Sequence, residues 1–254
     1  DEAEKLQNDF HVIIPILDGH SESDRDFTSI EDNAQEIIEY IANNFNGHIH
    51  LIGGLSLGGQ ILLEILAKKN DICDFAIIES ALAMPMKVTQ KMIKPAFSMS
   101  YGLISKKWFS KMQFNSLGIK KELFDDYYID TCKITKENMI AFMEANSKYE
   151  IKDTLQDTKA RVLVIVGEKE RPIMKKSADK INEKIGTSSI EVIPNYFHGE
   201  LSINNPDRYI SIMNELIAEK ETKLNEVVVN NRNTTTLSSE NNVEKSKGII
   251  LEER

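Results

Sequence analysis

The stretch from His48 to Ser80, HIHLIGGLSLGGQILLEILAKKNDICDFAIIES, constrains the fold more than any other part of the chain. It opens and closes with short apolar runs that read as buried strands. Between them lies a helical pattern with Ile61, Leu62, Ile65 and Leu66 on one side. A strand, a helix and a strand joined this tightly form a β–α–β unit, whose two strands must run parallel. The alternation recurs along the chain. HVIIPIL (His11 to Leu17) reads as a strand. SIEDNAQEIIEYIANNF (Ser29 to Phe45) reads as a helix with Ile30, Ala34, Ile37, Ile38 and Ile41 on its apolar face and Ser29 or Asp32 as its cap. RVLVIVGE, PIMKKSADKINEKI, SIEVIP and DRYISIMNELIAEKET continue as strand, helix, strand, helix. The fold class predicted is α/β, with a mostly parallel sheet and helices on both faces.

Two regions break the alternation. From 83 to 159 there is no clear strand, and methionines, aromatics and lysines dominate what reads as several short helices. Beyond 221 the chain turns polar, rich in asparagine, serine and threonine, without a helical period. Residues 221–254 are therefore expected to form a disordered tail. This leaves 1–82 and 160–220 as the core and 83–159 as an insertion.

At 254 residues the chain suits one large domain with an insertion. Its net charge of −9 argues against a nucleic-acid binder, which needs a basic surface to neutralise phosphates. It argues equally against a polybasic membrane-surface protein. Two cysteines, Cys73 and Cys132, make no disulfide framework and fit a reducing compartment. No apolar run reaches the ~18 residues of a membrane span, and no signal peptide opens the sequence. Cytoplasmic is the default location expected.

The glycine-rich junction carries the chemistry. Gly54-Leu55-Ser56-Leu57-Gly58 is a G-x-S-x-G element between a strand and a helix, the setting in which a tight turn exposes a nucleophilic serine. Its neighbours must be tiny to avoid the adjoining strand and helix. The amide of Leu57 then lies where it can face a developing oxyanion. The plainer alternative is a glycine-rich turn with an ordinary capping serine. A serine hydroxyl needs a histidine base, and the base needs an acid. In this architecture the order is serine, acid, histidine. Glu170 or Glu168, after the strand VLVIVGE, and His198, in the loop YFHGE, supply it.

These motifs resemble the α/β-hydrolase superfamily, in its esterase, lipase and peptidase branch. The matching residues are Gly54-Leu55-Ser56-Leu57-Gly58, the Gly167-x-x-Glu170 loop and Phe197-His198-Gly199-Glu200, together with IIPILDGHSESD (Ile13 to Asp24). The resemblance spans about residues 8 to 219 and is least specific in the insertion. It implies Ser56 as nucleophile, His198 as general base and Glu170 as orienting acid, at a position where the family more often has aspartate. Some members place the acid one strand earlier, which makes Glu79 the second candidate and Glu168 the third. The insertion falls where the family carries a helical cap. Lined with methionines such as Met92, Met99, Met112 and Met139, such a cap would suit an acyl chain. The same residues would also serve as the cap's own core. Its lysines would form either a basic face that attracts anionic substrates or ordinary solvated positions.

The resemblance also exposes a gap. The strand that should separate HVIIPIL from HIHLIG, and whose following loop should give a second oxyanion donor, would precede residue 1. Without it two central strands would face each other with unpaired backbone groups, and the chain would be poorly stable or weakly active.

Other histidines carry less. His20 lies in DGHSESD and would line the site or brace its loop. His48 and His50 alternate onto one face of a strand, but no ligand set accompanies them and no metal is expected. No cofactor is implied. The function expected is a serine hydrolase acting on a carboxylic ester with a small to medium acyl group. A thioesterase, an aminopeptidase or a carbon–carbon hydrolase would use the same residues. A non-catalytic binding protein for an apolar small molecule is the alternative from another class.

Overall fold

A computed structural model describes residues 2–218 and 248–252. In chain order they form α1 (Glu2–Leu6), β1 (His11–Ile13), α2 (Ile30–Asn44), β2 (Ile49–Leu55), α3 (Leu57–Lys68) and β3 (Cys73–Glu79). Four helices follow: α4 (Lys87–Ile104), α5 (Lys107–Ser116), α6 (Phe124–Lys133) and α7 (Lys136–Lys148). Then come β4 (Arg161–Gly167), α8 (Pro172–Lys184), β5 (Ser188–Ile193), α9 (Glu200–Asn204), α10 (206–218) and β6 (Gly248–Glu252).

The sheet is parallel throughout, in the order β1-β6-β2-β3-β4-β5. Its period-2 pattern sends side chains to two separate cores. Ala76, Ile78, Val162 and Val164 pack with α2, α3 and α8. Phe75, Ile77, Leu163 and Ile165 pack on the other face with Leu6, Leu201 and Met213. The predicted apolar face of α2 is buried as expected, and the Ser29 hydroxyl accepts from the Asp32 amide at 3.0 Å to cap the helix. α3 is buried on nearly every side from Gly58 to Leu66, because α2 closes over the face that the sheet leaves open.

Two expectations need correction. The strand at His11 ends at Ile13 rather than Leu17. Pro15 has no amide to give a ladder, and Ile14 and Ile16 stand exposed beyond it. The second concerns the gap and the tail. Residues 221–247 and 253–254 lie outside the described residues, but Gly248–Glu252 is a strand, and it occupies the slot between β1 and β2. It pairs in parallel with both, Ile249 lying opposite Val12 on one side and Leu51 on the other. A strand from the far end of the chain thus meets the backbone groups of β1 and β2 that would otherwise be unpaired.

The insertion between β3 and β4 is helical, with no strand among its residues. Among the described residues no disulfide forms; Cys73 is buried and Cys132 exposed. Among the described residues no helix is long and apolar enough to cross a membrane.

Candidate active site

Ser56 stands at the carboxyl end of β2 and heads α3. Its backbone has φ 55° and ψ −107°, a left-handed conformation that non-glycine residues seldom adopt. Gly54 is required beside it, since a Cβ there would lie 2.5 Å from the Gly58 carbonyl oxygen. The Ser56 amide donates to the Glu79 carbonyl at 2.9 Å, which fixes the turn to β3. A serine before a helix ordinarily turns its hydroxyl back as a cap. Ser56 makes no such bond, and its Oγ instead lies 3.0 Å from Nε2 of His198. As the first helical residue, Leu57 has an amide with no intrahelical acceptor, at the positive end of α3.

His198 sits in the loop between β5 and α9, and its side chain is 47% exposed. Its Nδ1 is 2.8 Å from Oε2 of Glu170, whose side chain is fully buried. A carboxylate only accepts, so Nδ1 carries the hydrogen and Nε2 turns its lone pair to Ser56. The second oxygen of Glu170 accepts from the Gly167 amide at 2.8 Å and from the Ser80 hydroxyl at 2.6 Å. Burial works against the charge of Glu170, but His198, Ser80 and the Gly167 amide outweigh it and hold the carboxyl below its ordinary range.

The loop that delivers His198 is strapped to the turn that delivers Glu170. The Lys169 amide donates to the Tyr196 carbonyl at 2.9 Å, and the Asn195 amide donates to Glu168 at 2.8 Å. Gly167 must be glycine, because a Cβ there would lie 2.3 Å from the Tyr196 carbonyl oxygen. Gly199, at φ 66°, lets the chain turn into α9.

Of the three candidate acids, only Glu170 meets His198. Glu168 accepts the Asn195 amide and so braces the loop from outside. Glu79 ends β3 but is buried beside Gly53, Gly54, Ser202 and Tyr209. One of its oxygens has no hydrogen-bond partner among the described residues. Burial pushes its carboxyl up to about 7, Ser202 and the Leu201 amide pull it back, and Glu170 raises it further. Ser80 went unnoticed in the sequence. It has φ 54°, binds Glu170, and accepts from the Gly199 amide at 3.3 Å. The only sequence signal for it was its place just after a strand, next to a glutamate that drew attention instead.

The remaining histidines go elsewhere. His20 stacks on Phe142 of α7 with ring centroids 5.3 Å apart. His48 and His50 both approach Asp74 at the amino end of the sheet, at 3.6 and 3.3 Å. Among the described residues no three His, Cys, Asp or Glu side chains gather as a metal site would require.

No family model matches the sequence, and no curated protein does so either. Many solved structures match the fold. An esterase from Thermogutta terrifontis is 18% identical, with a TM-score of 0.67 over 86% of this chain and 83% of its own. A lipase-esterase related protein from Clostridium acetobutylicum is 19% identical, with a TM-score of 0.66 over 85% and 87%. MenH from S. aureus is 16% identical, with a TM-score of 0.68 over 86% and 87%. The parallel sheet, the strained serine turn at its carboxyl edge and this likeness agree, and the chain has the α/β-hydrolase fold.

Proposed function

We propose that the chain is a serine hydrolase of carboxylic esters with small to medium apolar acyl groups. One observation carries the proposal: the continuous hydrogen-bonded series from the Ser56 hydroxyl through His198 to a buried, ionised Glu170. In this scheme Ser56 Oγ attacks the ester carbonyl while His198 Nε2 takes its proton. The Leu57 amide donates to the oxyanion of the tetrahedral intermediate. Collapse breaks the ester bond, and His198 returns the proton to the departing alcohol. Water, deprotonated by His198, then attacks the acyl-enzyme and releases the acid and Ser56. Glu170 stays ionised throughout and steadies the imidazolium. No cofactor enters the scheme.

Esters are favoured because this arrangement supplies an activated oxygen nucleophile and a donor for the oxyanion, which is what an activated acyl group requires. The esterases among proteins of similar fold lend support at the level of class. The test is labelling by a fluorophosphonate probe, with Ser56→Ala as control. Labelling that vanishes in the variant is expected. Absence of labelling in the folded chain would overturn the proposal and favour a non-catalytic binding protein. Turnover panels of esters, thioesters and peptides then separate ester hydrolysis from thioesterase, aminopeptidase or carbon–carbon hydrolase chemistry.

A further inference from the structure

Between Glu79 and Glu122 the chain carries eight lysines and no acidic residue, although its net charge is −9. This basic run is the part of the insertion that forms α4 and α5. α4 is apolar on two opposite faces. Ile93 and Ile104 point inward and are buried. Val88, Met92, Met99 and Leu103 point outward, with Val88 80% and Met99 87% exposed. Their spacing of four, seven and four residues keeps them in a stripe on one side of a helix about 27 Å long. Lys87, Lys91 and Lys94 run along one flank of that stripe. α5 repeats the arrangement. It buries Ser110 and Phe114, and turns Trp108, Lys111 and Met112 outward, Trp108 being 64% exposed.

Exposed apolar residues scattered singly need no explanation, but an ordered stripe of them does. The fold does not need these side chains inside, since α4 has a separate buried face. Lys94 pairs with Glu144 at 3.6 Å and Lys107 with Asp125 at 3.2 Å. Lys87, Lys91, Lys106 and Lys111 have no carboxylate partner among the described residues.

We propose that the outer faces of α4 and α5 dock the protein onto an anionic lipid surface. Charge complementarity selects a negative occupant. The stripe is a ridge of flexible side chains, which suits a fluid apolar phase better than a shaped partner. Lysines beside it can extend their stems and keep their charge at the headgroups, and Trp108 lies at the junction of the two helices, where an indole favours the interface. Whole-chain charge hides this because the acidic residues lie elsewhere in the sequence. The insertion departs from β3 and returns to β4, the strands whose carboxyl ends lead into Ser80 and Glu170. Docking through it would bring esters dissolved in the lipid to Ser56, a consequence that rests on the hydrolase proposal; the docking itself does not.

The single tryptophan of the chain is a built-in reporter. Titrate the full chain carrying Ser56→Ala with vesicles of phosphatidylcholine, alone or mixed with phosphatidylglycerol. Follow Trp108 emission and co-sedimentation, with polyglutamate as the non-lipid anion. A blue shift and co-sedimentation only with the anionic vesicles, weakened by salt, are expected. Lys→Gln at 87, 91, 106 and 111 should each lower partitioning about fivefold, and Met99→Ser should lower it without changing the melt. Silence with both vesicles overturns the proposal. So does a response to polyglutamate but not to vesicles, which would make the face a protein-docking surface. Because the serine is absent throughout, the result is independent of any failure of the hydrolase scheme.

Discussion

The sheet edge around Ser56 and the outer side of the helical insertion treat their residues in opposite ways. At the edge, the polar atoms of the serine site have assigned neighbours: the two oxygens of Glu170 are met by His198, Ser80 and the Gly167 amide, while glycines clear the space between loops. On the insertion, methionines, a valine and a tryptophan face outward beside lysines, four of which have no carboxylate partner among the described residues. Close packing forces a unique arrangement at the edge, since strands converge there and backbone turns are strained. The insertion keeps its inner contacts and leaves its outer face free of any internal constraint. One region is built for a single geometry, the other for contact with something outside the molecule.

The largest expected effect tests what holds the edge up. β6 supplies the backbone partners of both β1 and β2, although it is far from them in sequence. Each buried backbone group left unpaired costs about 1–3 kcal/mol. A few of these would consume a typical stability of about 5–15 kcal/mol. Ending the chain before Gly248 should abolish the cooperative melt seen by circular dichroism, and a synthetic peptide spanning 244–254 should restore part of it. A truncated chain that melts as the full one does would mean that β1 and β2 close up without it.

Two substitutions then test the site in a folded chain. Ser56→Ala should lower ester turnover by about 10⁶-fold. Glu170→Gln keeps the shape but loses the charge that orients His198, and should cost about 10⁴-fold. Both are read from kcat on a soluble ester, with the melt unchanged for Ser56→Ala.

How far the sequence reveals these features follows from how local each one is. The serine turn is a local event: glycines at Gly54 and Gly58, a strand before and a helix after are all within a dozen residues. Glu170, rather than Glu79 or Glu168, lies against His198, and only long-range packing separates the three. Glu79 is turned to the opposite face of the sheet by simple alternation. Ser80 escaped notice because its role depends on a left-handed backbone and on a partner ninety residues away. β6 was illegible for a different reason. A three-residue apolar run, Ile249 to Leu251, in a polar region has the signal of a loop patch, and only the vacant slot between β1 and β2 makes it a strand. The outward stripe of α4 shares its composition with a core stripe, and no periodicity tells an exposed face from a buried one.

Glu170 and Glu79, both buried, make the pH dependence of stability two-sided. Glu170 is held below its ordinary range, so its contribution is present above about pH 4.5, the unfolded value, and is lost as pH falls through its lower folded value. Glu79 is raised from 4.5 to about 7. Its native form holds a proton that the unfolded chain releases, so its contribution is full below pH 4.5 and is lost as pH rises through about 7. Glu79→Gln mimics the protonated form. It should flatten the decline in chemical-denaturation stability between pH 4.5 and 7, by about 3 kcal/mol at the upper end, while leaving the acid limb of Glu170 in place. An unchanged slope would mean that Glu79 is ionised in the folded chain.

The smallest effect discriminates most sharply between the two regions. Met99 is 87% exposed, so replacing it with serine should move stability by no more than about 0.5 kcal/mol. Phe114, buried on the inner face of α5 against Phe124 and Tyr127, should cost about 3–5 kcal/mol as alanine. Equilibrium denaturation of both variants compares the two faces of the same insertion directly. If Met99→Ser proves as costly as a core truncation, the stripe is packed against the protein itself and the contrast fails. If it is silent, the apolar character of Met99 does nothing for the fold, as docking through the outer stripe requires.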